Sequence, residues 1–165
     1  MYEESLKMPF IIKWPGKIKP GSRSHQMIQN IDYAPTFLDV AGAAIPDDIQ
    51  GVSIVPLLNG EKPADWRKSI YYHYYEYPSV HMVPRHYGIR TGRYKLMHFY
   101  EFDEWEFYDL KEDEDELVNL YNDPEYASRV KSYKKQLKDL QQHYEDDSDI
   151  SVKPKEWQYK VRDRG

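Results

Sequence analysis

Residues 8–14, MPFIIKW, are almost continuously apolar. That pattern predicts a short strand buried on both faces, as in a parallel α/β sheet. Pro15-Gly16 ends it. Asp32 reads as a helix N-cap, with Pro35 in the first turn, an apolar stripe of Phe37, Leu38 and Val40, and Gly42 as the stop. Residues 43–51 read as a loop, and Ile54 to Leu58 as a helical turn that Asn59-Gly60 closes.

The period changes after Pro63. Residues 69–76 (SIYYHYYE) and 86–100 (HYGIRTGRYKLMHFY) read as antiparallel strands, the second folded into a tight hairpin at Thr91-Gly92. Tyr94, Leu96, His98 and Tyr100 share one face, and Lys95, Met97 and Phe99 the other. A third strand is expected from Trp105 to Asp109. Asp123-Pro124 then opens a helix in which Tyr126, Val130, Tyr133, Leu137, Leu140 and Tyr144 recur at spacings of four and three, one apolar stripe. The fold class predicted is α+β: a small antiparallel sheet packed with a long C-terminal helix, preceded by the last strand and helix of an α/β domain. Residues 1–62 are read as a remnant of that α/β domain, 63–145 as the α+β subdomain, and 146–165 as a polar tail.

Composition sharpens this picture. The mean hydropathy is -0.88 and 31% of residues are charged, yet the chain carries 16 Tyr and 4 Trp. Tyr offers contact area with a polar tip, which favours sheets with wet faces and ligand contacts over a helical bundle. A net charge of -5 with no basic stripe argues against nucleic acid as a partner. The absence of cysteine removes disulfides, thiolate metal sites and cysteine nucleophiles. No stretch is long and apolar enough to span a membrane. The opening residues do not form a signal peptide, so any export signal would have to lie upstream of residue 1.

The segment EFYDLKEDEDELVNLYNDP, residues 106–124, poses a choice between a calcium loop and a solvated turn. No Gly sits mid-loop and the alternating ligands of an EF-hand are missing, which favours the turn. The ordered set YEESLKMPFIIKWPGKIKPG, IDYAPTFLDVAGAAIPDDIQGVSIVPLLNG, HYGIRTGRYKLMHFY and EFYDLKEDEDELVNL resembles the C-terminal portion of the type I, formylglycine-dependent sulfatases of the alkaline phosphatase superfamily. The nearest branch is similar to bacterial sulfatases acting on sulfated sugars. In that family the stretch matching residues 108–120 is a structural turn between the last strand and the helix. The resemblance implies that Asp113 and Glu116 accept backbone N–H bonds there and that Leu117 and Leu120 pack down. Glu114 stands where the family has Pro.

The resemblance implies a parent enzyme that hydrolyses sulfate esters with a formylglycine nucleophile, a calcium ion, and Lys and His contacts to the sulfate. This chain has no Cys and no S-x-P-x-R run, and no metal quartet can be assigned in it. It is therefore expected to be a C-terminal fragment, inactive alone. The family's C-terminal subdomain lies beside the cleft, and EYPSVHMVPRH is the candidate for sugar contacts: His81, Arg85 and His86 lie in a Pro-bounded loop between strands. His73 and His98 are expected to be half-buried structural residues, and Arg90 and Arg93 to be solvated beside the hairpin turn. The parent is expected to be periplasmic or secreted, with sulfated carbohydrate as its partner. Residues 1–45, cut from a larger sheet, are expected to drive self-association. The competing readings are a non-catalytic carbohydrate-binding or interaction domain, and a fragment of a related phosphate-ester hydrolase.

Overall fold

A hairpin sits at the centre of the fold. In the computed structural model, which describes residues 1–78 and 81–151, β2 (His86–Thr91) pairs antiparallel with β3 (Tyr94–Phe99). The register sets Ile89 opposite Leu96 and Arg90 opposite Lys95. The two-residue turn is therefore Gly92-Arg93, one position beyond the expected Thr91-Gly92. Thr91 is β-branched and stays in the strand. Its hydroxyl donates to the Tyr94 carbonyl (3.0 Å) and accepts from the Tyr94 N–H (3.1 Å), which closes the turn. Gly88 is required in β2 because a Cβ there would lie 2.6 Å from the Leu96 carbonyl oxygen.

The outer strands are β1 (Ser69–Tyr74) and β4 (Glu104–Asp109), and the order β1-β2-β3-β4 is a meander. The N-terminal turn α1 spans Glu3–Leu6, α2 Tyr33–Val40 and α3 Val55–Leu58, and a 3₁₀ turn at Pro124–Tyr126 leads into the long helix α4, Ala127–His143. The chain divides into two units, one of Met1–Leu6 with Tyr71 onward and one of Lys7–Ile70. This partition differs from the expected break near residue 62, and it assigns the first six residues to the sheet.

In the sheet unit, α4 covers one face. Val130 and Leu137 are buried against Tyr87, Ile89, Tyr94, Leu96 and Phe107, while Tyr133, Leu140 and Tyr126 pack at the margin. That is the predicted stripe. The other face is not wet, contrary to expectation: β3 is buried from Tyr94 to His98. Residues Met1–Leu6 lie across it. Lys95, 1% exposed, meets Glu116 at 2.6 Å, Glu3 at 2.9 Å and the Met1 carbonyl at 3.2 Å. Arg90 reaches the same Glu3 at 2.8 Å, and the Tyr2 hydroxyl donates to Glu106 at 3.2 Å. A buried ammonium is tolerated only where carboxylates surround it. Arg90 is thus paired across the sheet and Arg93 is bonded to Asp109 at 2.6 Å; neither is the freely solvated arginine expected.

The acidic segment is a turn held by its own side chains. Asp113 accepts the Leu117 and Val118 N–H groups at 3.1 and 2.8 Å. Asn119 accepts from Phe107 and Tyr121, both at 3.0 Å, and Leu120 packs at the core margin. Leu117 departs from expectation, being 80% exposed. Glu116 has φ +55°, and that reversal sends its carboxylate inward to Lys95 and the next side chain outward.

In the Lys7–Ile70 unit, residues 8–14 form no ladder, and Ile11 is 92% exposed. A strand exists only by pairing, and none of the described residues pairs with this segment, so the predicted strand is absent. The motif Asp32-x-x-Pro35-Thr36 builds the centre of this unit. Asp32 occupies the N-cap position of α2 yet does not cap it. Its carboxylate, fully buried, accepts from Gln29 N–H (2.7 Å), Val52 N–H (3.0 Å) and both terminal nitrogens of Arg67, one at 2.6 Å. The Thr36 hydroxyl donates to the Asp32 carbonyl (2.5 Å) and accepts from Ile54 N–H (3.0 Å). Gly51 completes the packing: a Cβ there would sit 2.0 Å from the Ile31 carbonyl oxygen.

Candidate substrate-facing site

The loop between β1 and β2 follows a row of alternating aromatic residues. Along β1, Tyr71 and His73 share the helix-side face with Tyr87 of β2, and Tyr72 and Tyr74 share the opposite face with His86. Each of the three predicted contact residues has a distinct setting. His81 is exposed in the loop. Arg85 is half-buried, with Nε bonded to the Glu101 carboxylate and its guanidinium 5.1 Å over the Tyr100 ring. His86 is 1% exposed and begins β2. Ser79 and Val80, in the same segment, lie outside the described residues.

His86 has a defined tautomer. Its Nδ1 lies 2.7 Å from the Pro84 carbonyl oxygen, which can only accept, so Nδ1 carries the proton. Burial, chiefly, pushes its pKa down to about 4, which keeps the ring neutral near pH 7. The ring packs against Tyr72, Tyr74 and Phe99 at centroid distances of 4.8 to 5.5 Å. Its Nε2 lone pair and the Tyr74 hydroxyl are buried without hydrogen-bond partners among the described residues. Buried polar atoms of this kind suit an added donor or acceptor.

On the helix-side face the structure assembles a cluster that the sequence did not announce. His73 Nδ1 lies 2.6 Å from Asp146, and His73 Nε2 lies 3.1 Å from the Tyr100 hydroxyl. The Tyr71 hydroxyl donates to the same Asp146 carboxylate. Burial opposes the Asp146 charge, but hydrogen bonds from Ser148, Tyr71 and His73 outweigh it and hold the carboxyl well below the usual range. Asp146 was expected to begin a polar tail; its side chain is 7% exposed. The remainder of that tail, residues 152–165, lies outside the described residues. Both His73 nitrogens are engaged, so this imidazole holds structure and has no lone pair for a reaction. The neighbouring His98 is likewise occupied, by Tyr87 (2.8 Å) and Asp103 (2.9 Å), and is stacked on Trp105 at 4.0 Å.

Residues 1–143 match the family model described as N-sulphoglucosamine sulphohydrolase, C-terminal. The chain belongs to this sulfatase family. An N-acetylglucosamine-6-O-sulfatase of Bacteroides thetaiotaomicron is 53% identical over 149 residues, 88% of this chain and 27% of that protein. A solved structure of a protein in complex with its substrate D-glucosamine-2-N,6-O-disulfate matches with a TM-score of 0.82 and 49% identity, covering 87% of this chain and 30% of the other. A phosphonate monoester hydrolase of Silicibacter pomeroyi matches with a TM-score of 0.69 at 26% identity, covering 80% of this chain and 28% of that one. The chain thus spans under a third of the length of these sulfatase-family relatives. The α+β fold with its C-terminal helix is that of the sulfatase C-terminal region.

The cofactors that the family resemblance implies do not fit this chain. Among the described residues no group of three or more His, Asp or Glu side chains is placed to hold a metal ion, and the sequence contains no Cys and no S-x-P-x-R run in which a formylglycine could be made. No described helix is long and apolar enough to cross a membrane.

Proposed function

We propose that this chain is the C-terminal part of a sulfatase that hydrolyses sulfate esters of sulfated carbohydrates, and that its role there is to contact the sugar. The observation that carries this reading is the 0.82 TM-score match to a protein bound to a disulfated glucosamine. The loop from Tyr75 to His86 supports it chemically. His81 is exposed and Arg85 carries a guanidinium suited to sulfate oxygens, while His86, the third residue expected there, is buried with an unpartnered Nε2. The nucleophile and calcium belong, on this reading, to the rest of the protein. A polyanionic sugar does not cross a bilayer unaided, which supports a periplasmic or secreted parent.

Desulfation of glucosamine-2-N,6-O-disulfate by the full-length protein tests this proposal. The expected result is release of sulfate, reduced when Arg85 is changed to Ala. Hydrolysis of a phosphonate monoester with no sulfate release would overturn it in favour of the chemistry of the phosphonate monoester hydrolase relative.

A further inference from the structure

Tyr75 follows β1 directly, and its ring is 56% exposed. An exposed tyrosine ordinarily samples several rotamers. This one is held from beneath. Its inner face stacks on the His73 ring at a centroid distance of 3.9 Å and an interplanar angle of 30°. The His73 side chain is 3% exposed and is fixed at both nitrogens, by Asp146 at 2.6 Å and by the Tyr100 hydroxyl at 3.1 Å. Asp146 also accepts the Tyr71 hydroxyl and lies 3.5 Å from that of Tyr75. A buried polar network thus presents one flat aromatic surface to solvent.

The same anchor carries a cation. Tyr100, whose hydroxyl holds His73, has the Arg85 guanidinium 5.1 Å over its ring, and Glu101 fixes the Arg85 Nε. A flat ring and a guanidinium therefore share one support. The C–H groups on one face of a pyranose are weakly positive and pack on the negative face of an aromatic ring. The guanidinium suits an anionic substituent on that sugar.

We propose that Tyr75 is a preorganised stacking platform for a pyranose ring of a sulfated sugar, held in place by the His73–Asp146–Tyr100 network. The proposal rests on the carbohydrate reading above and adds the residue that grips the ring. Because the platform is rigid before binding, little side-chain entropy is lost on contact.

Calorimetric titration of the full-length protein with glucosamine-2-N,6-O-disulfate tests it, with turnover of the same compound measured in parallel. Tyr75→Ala is expected to weaken binding about fivefold to tenfold, the effect of roughly 1 kcal/mol of ring stacking. Tyr75→Phe keeps the ring and is expected to bind within about twofold of wild type. His73→Gln is expected to weaken binding as well, since it releases the platform without touching the sugar. Equal affinity of the Tyr75→Ala protein and wild type overturns the proposal, as does an equal loss in Tyr75→Phe, or absence of binding by wild type. Ring-dependent binding without sulfate release would leave the platform standing and sink the sulfatase reading alone.

Discussion

Asp32 and Glu3 each show a carboxylate used as a fastener. Asp32 is fully buried and its Arg67 partner bonds it through two nitrogens. Removing the guanidinium leaves a buried charge with two backbone donors. Arg67→Ala is expected to destabilise the Lys7–Ile70 unit by about 3 kcal/mol, seen as a lower melting temperature and faster amide exchange at Val52. Unchanged melting would show that the backbone donors suffice. Glu3 makes its contribution pH-dependent. Burial pushes its carboxyl up, but Arg90 and Lys95 outweigh burial and hold the pKa at about 2 against 4.5 for the free group. A depressed carboxylate stabilises the folded state above its unfolded pKa, and that stabilisation fades as pH falls through the folded one. The Glu3 amide, bonded to Glu116 at 2.6 Å, should therefore leave its folded NMR position between about pH 4.5 and 2. If it moves only when β3 itself unfolds, the first six residues have no separate fastening.

The elements divide by how local their causes are. The stripe on α4 was readable because the 3.6-residue period needs no knowledge of the partner, and Leu137 is 2% exposed as that stripe requires. Leu137→Ala should cost about 2 to 5 kcal/mol; a melting curve that does not move would place Leu137 outside the core. The hairpin was readable to within one residue because Gly marks the turn. The strand at residues 8–14 was misread because apolar residues report burial and cannot report whether a neighbouring strand exists. Leu117 was misread because a single positive φ at Glu116 inverts the faces, and Glu is not a residue that advertises that conformation. In the candidate site, His81, Arg85 and His86 stood out as loop chemistry. The polar network beneath Tyr75 and Tyr100 did not, because His73 and Asp146 are 73 residues apart and only the fold brings them together.

At the scale of the molecule, the Lys7–Ile70 unit leaves much apolar surface uncovered. Met8 is 76% exposed, Ile11 92% and Phe37 72%. Large exposed apolar side chains favour association. We propose that the chain self-associates through this unit, which contains residues 7–45 of the 1–45 segment expected from the sequence to do so. Sedimentation at micromolar concentration is expected to show a dimer or larger species, and Ile11→Lys with Phe37→Asp to return it to monomer. A wild-type monomer would refute the idea.

The clasp around Lys95 also sets an order of events. The four strands follow one another along the chain and pair with their sequence neighbours, so the sheet can assemble as each strand is made. Glu3 has no such freedom: one partner, Glu116, lies 113 residues downstream. During synthesis the residues around Glu3 must wait, unseated, until almost the whole sheet has emerged behind them. The segment made before the sheet is the one that docks after it.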